Sequence, residues 1–240
     1  MKKILLLLWL LVPLFGISQN KNVLSTFRAF PKVDKVLEFE KALATHAQKY
    51  HTGDWKWRVF AIQSGPDANG YHITEGPLSW DLIDGRGDLS TEHNIDWNKN
   101  VAIYLTERGT ASYSVFEDTL STIALTDYAD KINITHWYPK IGWGGKLRAA
   151  IANMKKAWQA GGESVAVYTA SSSGPAQFTL VTRYKQGLKE RAPGFRKPFK
   201  DRFEGANGVD SFEDYLDTLR EYLNDSWSEL LFFRADLSSK

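Results

Sequence analysis

The sequence predicts an α+β protein in which two similar βαββαβ units follow one another along the chain. Three observations support this fold class: a globular composition, two landmarks that recur at matched spacing, and the same order of strand-like and helix-like segments after each first landmark. The landmarks are Phe30-Pro31-Lys32-Val33 with Tyr138-Pro139-Lys140-Ile141, and Ser64-Gly65-Pro66 with Ser173-Gly174-Pro175. The distance between their prolines is 35 residues in the first copy and 36 in the second, which predicts an internal repeat.

The first copy begins with an alternating segment, residues 23–30, that is typical of a half-buried strand. An amphipathic helix follows, with the apolar stripe Val33, Val36, Leu37, Leu43, Ala44 and Ala47. Residues 57–63 and 71–75 then form a predicted strand pair, with the Ser-Gly-Pro turn in the connection. A weak helical segment near residues 89–94 and a strand over 101–107 complete the unit.

The second copy shows the same order with clearer periodicity. After a strand over 132–138 comes a helix whose apolar residues repeat with a period of about 3.6: Leu147, Ala150, Ile151, Met154, Ala157 and Trp158. Strands are predicted over 165–170 and 178–184. Asp210-Ser211-Phe212-Glu213 contains capping chemistry for another helix, and a strand over 229–235 ends the unit.

This order is that of the ferredoxin-like unit, which leaves one whole face of its sheet to be covered. Two such units packed sheet to sheet resemble the dimeric α+β barrel superfamily, here fused within one chain over roughly residues 22–237. That superfamily includes antibiotic-biosynthesis-type monooxygenases, NIPSNAP-like proteins and chlorite-dismutase-like haem proteins, so the resemblance leaves function open. We expect a first repeat over residues 19–110, a linker over 111–130 and a second repeat over 131–240.

The first 18 residues have the pattern of a secretory signal peptide. Lys2 and Lys3 precede the apolar run 4–11, and small residues stand before Gln19. A membrane anchor is the alternative, but Pro13 and Gly16 make the apolar stretch shorter than a spanning helix requires. We therefore expect a soluble periplasmic or secreted protein, without a membrane partner.

Charge and cysteine content exclude several function classes. The chain has 30 basic and 28 acidic residues, and the excess equals the two lysines of the predicted signal, so a nucleic-acid partner is not expected. There is no cysteine, which excludes disulfides, thiolate metal sites and a cysteine nucleophile. A homo-oligomer is compatible with this composition.

His136, His72 and Arg28 are the candidate catalytic residues. The repeat aligns His136 with Arg28, so alternation places a titratable or cationic side chain at the same depth in both copies. Such groups could transfer a proton or stabilise an oxyanion in a barrel cavity; a hydrogen-bonded core histidine is the alternative for His136. A buried Arg28 needs an acceptor, for which Glu75 and Glu107 are the expected candidates.

Trp137, Tyr138, Glu75 and Arg183 are the candidate ligand-binding residues. The aromatic pair could line a pocket for a flat ligand, or serve only as core packing. The two charged residues lie in strands, either at the rim of the sheet or in a cavity.

The histidines show none of the close spacings typical of metal sites, so no metal is predicted. His46 and His51 lie at the end of the first predicted helix, where capping or solvent exposure is expected, and exposure is also expected for His93.

The sequence supports a protein that binds a small apolar or aromatic molecule in a barrel, with no cofactor predicted. The alternative is a cofactor-independent monooxygenase or isomerase of the antibiotic-biosynthesis-monooxygenase type. Resemblance to the chlorite-dismutase-like branch would imply haem, but the ligand histidine of that branch lies late in the second unit. This chain has no histidine after His136, so haem binding is the least favoured of the three.

Overall fold

Eight antiparallel strands close into a barrel in the computed structural model, which describes residues 20–87 and 89–240. The strands are β1 (Val23–Pro31), β2 (Trp57–Ile62), β3 (Tyr71–Leu78), β4 (Leu105–Phe116), β5 (Lys131–Pro139), β6 (Val165–Ser171), β7 (Phe178–Arg183) and β8 (Leu223–Phe233). The helices are α1 (Val36–Tyr50), α2 (Trp80–Asp84), α3 (Thr91–Asp96), α4 (Gly144–Ala160), α5 (Phe199–Asn207) and α6 (Ser211–Tyr222). The predicted signal peptide lies outside the described residues. The α+β barrel expected from the sequence is confirmed.

The barrel order is β1-β3-β2-β8-β5-β7-β6-β4, and β4 pairs with β1 to close it. The first four strands are therefore neighbours in the order β4-β1-β3-β2, and the last four in the order β8-β5-β7-β6. The two halves meet along two seams, where β2 pairs with β8 and β4 pairs with β6.

The two Ser-Gly-Pro turns lie at these seams, between β2 and β3 and between β6 and β7. The Ser64 hydroxyl accepts a hydrogen bond from the backbone N–H of Leu230 at 3.1 Å, and the Ser173 hydroxyl accepts one from Tyr113 at 2.7 Å. Gly65 has a φ of +93°, and a Cβ there would lie 2.9 Å from the Ser228 carbonyl oxygen. Each turn thus bonds to the last strand of the other half, and the tight approach at the first turn explains its glycine.

The helices cover the outside of the barrel in two separate layers. On the second half, α4 buries all six residues of its predicted stripe, and α5 and α6 pack beside it. On the first half, α1 packs against the outer face of β1, β2 and β3. A third apolar cluster fills part of the barrel interior. No helix within residues 20–87 and 89–240 is long and apolar enough to cross a membrane.

The predicted stripe of α1 is wrong at its start. Val33 and Leu37 are 96% and 78% exposed, whereas Phe39, Leu43, His46 and Ala47 are buried. Val33 lies in a short 3-10 turn before the helix, and the buried face of α1 is fixed by Phe39 one turn later. Helical periodicity predicted the helix but not which face meets the sheet.

The last strand of the first half also differs from its predicted range of 101–107. Residues 101–104 are helical, and β4 continues to Phe116, because it pairs with β1 along most of its length and with β6 at its end. The strand therefore occupies the first part of the predicted linker. In the remainder, Leu125 packs into the interior cluster, so this connection contributes to the core.

Candidate functional site

A cavity of about 420 Å³ lies inside the barrel, a size in the range of small-molecule sites. Its walls are the inward-facing residues of the strands, since side chains alternate between the two faces of a sheet. Five of the seven residues singled out from the sequence line it: Arg28, His72, His136, Tyr138 and Arg183. Strand alternation places Arg28, His136 and Tyr138 on one face, whereas for Arg183 the sequence leaves both the rim of the sheet and a cavity open.

The other two, Trp137 and Glu75, face outward and do not line this cavity. Trp137 is 5% exposed and packs into the outer cluster beneath α4. Glu75 is 3% exposed and accepts hydrogen bonds from the Trp57 indole and from His51. A role for these two residues in the barrel cavity is therefore wrong. Trp137 is adjacent to the inward-facing His136, and Glu75 is three residues from the inward-facing His72, so alternation turns both side chains outward.

Arg28 pairs with two carboxylates, Glu229 and Asp67, that were not among the expected acceptors. Its guanidinium donates to both carboxylate oxygens of Glu229, at 2.8 Å for Nη1–Oε2, and to Asp67 Oδ2 at 2.5 Å. Neither Glu75 nor Glu107, the expected acceptors, bonds to it. Glu229 lies on β8, and closure of the barrel brings β8 across the interior from β1. Because the two residues are 201 positions apart along the chain, the sequence did not indicate that they pair.

His136 belongs to the same network. Its Nε2 donates to Glu229 Oε1 at 3.0 Å, and its Nδ1 accepts from the Gln177 side-chain amide, which requires the Nε2–H tautomer. The ring stacks on Trp227 with centroids 3.9 Å apart. Both ring nitrogens are engaged, so His136 orients Glu229 rather than offering a free nitrogen. Glu229 is the single acidic residue of the predicted apolar strand 229–235, and this was the signal in the sequence that could have identified it as a functional residue.

The electrostatics of this network favour charged Glu229 and neutral His72. Burial alone would raise the pKa of Glu229, but hydrogen bonds from His136 and Arg28 lower it to about 2. Burial, reinforced by the positive charge of Arg28, lowers the pKa of His72 to about 3. His72 forms no side-chain hydrogen bond within the described part of the chain, and its Nδ1 is buried without a partner. His72, not His136, is the histidine whose ring nitrogens are free.

A second polar group in the cavity wall contains two arginines without a carboxylate partner. Arg183 is 4% exposed and donates to the carbonyl oxygens of Ala124 and Asp127 and to the Tyr168 hydroxyl. The guanidinium of Arg58 lies 3.9 Å from the Tyr128 ring centroid. Among residues 20–87 and 89–240, Arg58 has no hydrogen bond or ion pair, and its Nε is buried. Burial lowers the pKa of Arg58, the direction expected for a cation without a counter-ion.

The rest of the wall is mainly apolar. Its apolar part is formed by Leu24, Phe60, Ile132, Ile134 and Val181 together with the Trp227 ring, and hydroxyl groups of serine, threonine and tyrosine side chains lie between them. The cavity therefore combines a mainly apolar wall with a charged network in which Arg28 and Arg108 pair with Glu229 and Asp67. It also contains one cation, Arg58, that has no ion pair among the described residues. Neither Arg58 nor Trp227 was selected from the sequence.

No protein-family model and no curated protein matches this chain. Solved structures do resemble it. An "anthrone oxidase-like protein" superposes with a TM-score of 0.57 at 13% identity, covering 90% of this chain and 92% of that one. A "putative monooxygenase" from Lactobacillus acidophilus NCFM gives 0.52 at 7% identity, covering 91% and 96%. A "Putative Chlorite dismutase" gives 0.53 at 7%, covering 90% and 96%.

At such low sequence identity these likenesses show the fold alone. Each of the three structures is matched over nearly its whole length. The chain therefore shares the overall α+β fold of these structures, and its own eight strands close into one barrel within a single polypeptide.

Proposed function

We propose that the barrel cavity binds a small molecule with an aromatic or other apolar body and one acidic group. The observation that carries this proposal is Arg58, a partly buried guanidinium at the wall of a mainly apolar cavity; among residues 20–87 and 89–240 it makes no hydrogen bond or ion pair, and Asp130 attracts it only through space. A buried charge is costly unless it is paired, and an anionic ligand would supply the missing partner. Arg183 adds a second positive charge nearby.

The apolar walls and the Trp227 ring support a flat or apolar body for the ligand. A ligand that fills such a cavity gains from burial of apolar surface, and its acidic group gains a charge-assisted hydrogen bond. This narrows the function expected from the sequence, a binder of small apolar or aromatic molecules, to ligands that carry an anionic group.

The test compares two fluorescent probes that share a body and differ in charge. Anilinonaphthalene sulfonate is anionic, and N-phenylnaphthylamine is neutral. We expect the purified protein to bind the anionic probe at least about tenfold more tightly, the effect of one charged hydrogen bond. Arg58→Gln should remove this preference, whereas the exposed Arg220→Gln on α6 should keep it.

Equal affinity for the two probes, or an unchanged preference in Arg58→Gln, would contradict the proposal. Near-ultraviolet circular dichroism of each variant shows whether tertiary packing is native, since sulfonated naphthalenes also bind loosely packed chains. Quenching of tryptophan fluorescence by the anionic probe that is smaller in Trp227→Leu than in the unmodified protein would place the probe in the cavity.

A second candidate function is cofactor-independent oxygenation of the bound molecule, supported by His72 and by the names of two structural neighbours. The neutral His72 ring would accept a proton from an activated CH₂ group of the substrate. The carbanion would combine with O₂, and loss of water from the resulting peroxide, with the proton returned by His72, would leave a carbonyl group. The balance is CH₂ + O₂ → C=O + H₂O.

An oxygen electrode with a hydroxyanthrone as substrate tests this candidate. We expect oxygen uptake that falls at least about 100-fold in His72→Gln, a typical loss for a general base, while affinity for the anionic probe is retained. Uptake no faster than in buffer would refute oxygenation and leave the binding proposal intact.

Two further expectations from the sequence remain proposals. The first is that the two halves are tandem ferredoxin-like units. Their strand orders are identical, the two Pro-Lys landmarks lie at the ends of β1 and β5, and the two Ser-Gly-Pro landmarks lie in the turns at the seams. The protein is exported to the periplasm or secreted, supported by the pattern of residues 1–18. N-terminal sequencing of protein from the culture or periplasmic fraction should give Gln19 as the first residue, within two positions.

A further inference from the structure

Three histidines converge on the outside of the barrel, in the layer between α1, α3 and the sheet of the first half. His46 lies in α1, His51 directly follows the end of α1, and His93 lies in α3. One ring nitrogen from each lies within 4.8 Å of one from each of the others. His46 and His51 are fully buried and His93 is partly buried, so solvent exposure of His46 and His51 is wrong, although His51 does occupy the C-cap position of α1.

Local structure holds each imidazole in place. α1 ends at Tyr50, and His51 leaves the helix there, so its ring turns back beside that of His46. The Ser90 hydroxyl caps α3 by accepting from the backbone N–H of His93, which fixes His93 in the first turn. The Trp57 ring stacks on His51 with centroids 3.5 Å apart.

An oxygen atom orients the Nδ1 side of every ring. Asp96 Oδ2 lies 2.7 Å from Nδ1 of His46, Glu75 Oε2 lies 3.1 Å from Nδ1 of His51, and Asn94 Oδ1 lies 3.1 Å from Nδ1 of His93. In this arrangement Nδ1 carries the proton, and Nε2 keeps its lone pair. Metal-binding histidines are typically oriented in this way by a carboxylate or amide oxygen behind the ring.

On the opposite side of the rings, the Nε2 atoms meet each other rather than oxygen acceptors or donors of the described residues. Nε2 of His46 is buried and has no hydrogen-bond partner within the described residues. Nε2 of His51 and Nε2 of His93 are 3.3 Å apart. With a proton on every Nδ1, these two atoms face each other as lone pairs, an unfavourable contact that a shared cation would turn into a favourable one.

The spacing fits a tetrahedral ion. Two nitrogens bound to Zn²⁺ at about 2.0–2.1 Å lie about 3.3 Å apart, and the ring centroids of two such ligands lie about 5 Å apart. The three pairs of rings have centroid distances of 4.8, 5.3 and 5.3 Å. Neutral imidazoles suit zinc and its transition-metal neighbours rather than Mg²⁺ or Ca²⁺.

A separate cavity of about 230 Å³ reaches this cluster. His51 and His93 line it, together with Phe27, Trp97 and Arg86. Three protein ligands with an open fourth position are typical of zinc sites that bind water or a small ligand, whereas structural sites use four protein ligands.

We propose that His46, His51 and His93 bind one divalent transition-metal ion of the zinc type through their Nε2 atoms, with a fourth position open to this cavity. Glu75 and Asp96 balance the charge of the ion from behind the rings. Arg86 donates to Glu75 at 3.1 Å and places a positive charge at the cavity wall, where it would attract an anionic group toward the metal.

Metal content and affinity test the proposal on the untagged full chain, because a histidine tag would itself bind metal. We expect about one zinc per chain by mass spectrometry of the desalted protein. After chelator treatment, Zn²⁺ should raise the melting temperature, since it binds only the folded state. Co²⁺ should give the intense visible absorption of a tetrahedral site.

The decisive variant is His93→Gln, because His93 is the least buried ligand and its loss should leave the fold intact. We expect its Zn²⁺ affinity to fall at least about 100-fold and the thermal shift to vanish. Asp96→Asn should weaken affinity by about 10–100-fold, the usual effect of altering a group behind a ligand. His72→Gln, which removes a histidine outside the cluster, should bind Zn²⁺ like the unmodified protein.

Three results would overturn the proposal: a dissociation constant for Zn²⁺ weaker than about 10 µM, which is too weak for a specific zinc site, unchanged affinity in His93→Gln, or a weak octahedral Co²⁺ spectrum. The second would mean that zinc binds adventitiously elsewhere. The first would leave a hydrogen-bonded histidine cluster without a metal.

Discussion

The barrel cavity contains two groups of charged residues that differ in how their charges are balanced. Arg28 donates to Glu229 and Asp67, and His136 supports Glu229 from the other side. Arg58, at the wall of the same cavity, has no counter-ion in the described protein. The first group is complete without a ligand, and the second is not.

Because of this difference, we expect the first group to contribute to the stability of the fold and Arg58 to contribute to ligand binding. Removing one member of a satisfied buried network leaves its partner charged and desolvated, which destabilises the fold. Removing Arg58 loses no hydrogen bond or ion pair among the described residues but only its contacts with the rings of Tyr128 and Phe233, so we expect it to cost the fold less. The Arg28 network should therefore support the barrel, and Arg58 should serve the ligand.

The largest expected effect is that of Glu229→Gln. It leaves Arg28 without its main counter-ion, so the free energy of unfolding should fall by about 3–5 kcal/mol. Urea denaturation measures this value. Asp217→Asn removes a carboxylate of the exposed pair with Arg220 and should leave the urea midpoint unchanged. Equal effects of the two substitutions would break the distinction between the networks.

A smaller effect is expected from pH. The folded-state pKa of Glu229 is about 2, below its ordinary value of 4.5, so its contribution to stability is fully present above pH 4.5 and is lost as pH falls toward 2. The loss should reach roughly 2–3 kcal/mol. Urea denaturation at several pH values should show a shallower fall for Glu229→Gln than for the unmodified protein in this window. Parallel curves would mean that other carboxylates cause the acid sensitivity.

The smallest effect on stability is expected from Arg58→Gln, within about 1 kcal/mol of the unmodified protein. Arg183→Gln is the matched control, because Arg183 donates to two carbonyl oxygens of the β4–β5 connection. That substitution should cost about 1–3 kcal/mol. If Arg58→Gln is the more destabilising of the two, Arg58 has a structural role and the comparison fails.

Strand and helix periodicity allowed much of the barrel to be predicted. Alternation placed Arg28, His72 and His136 on the inward face, and the stripe of α4 named all six of its buried residues. Both signals arise from neighbours a few residues apart, for which side-chain direction follows directly from backbone geometry. The Ser-Gly-Pro landmarks likewise lie where the sequence placed them, in turns between paired strands.

Partners of the inward-facing side chains could not be predicted in the same way. Glu229 is 201 residues from Arg28 and 93 from His136 along the chain, and only pairing of β8 with β2 and β5 brings it to them. Glu75 was assigned to Arg28 for a different reason, because the alternation along β3 was not applied to it. Glu75 is three residues from the inward-facing His72, so it faces outward, where it bonds to His51.

The histidine cluster shows this limit most clearly. Sequence periodicity predicted that His46 belongs to a helix and that Arg28 and His136 share the inward face, because those properties depend on local backbone geometry. Burial of His46 and His51, and their convergence with His93, depend on how α1 and α3 pack on the sheet. Packing of this kind is set by shape and desolvation across distant segments, which no local pattern records.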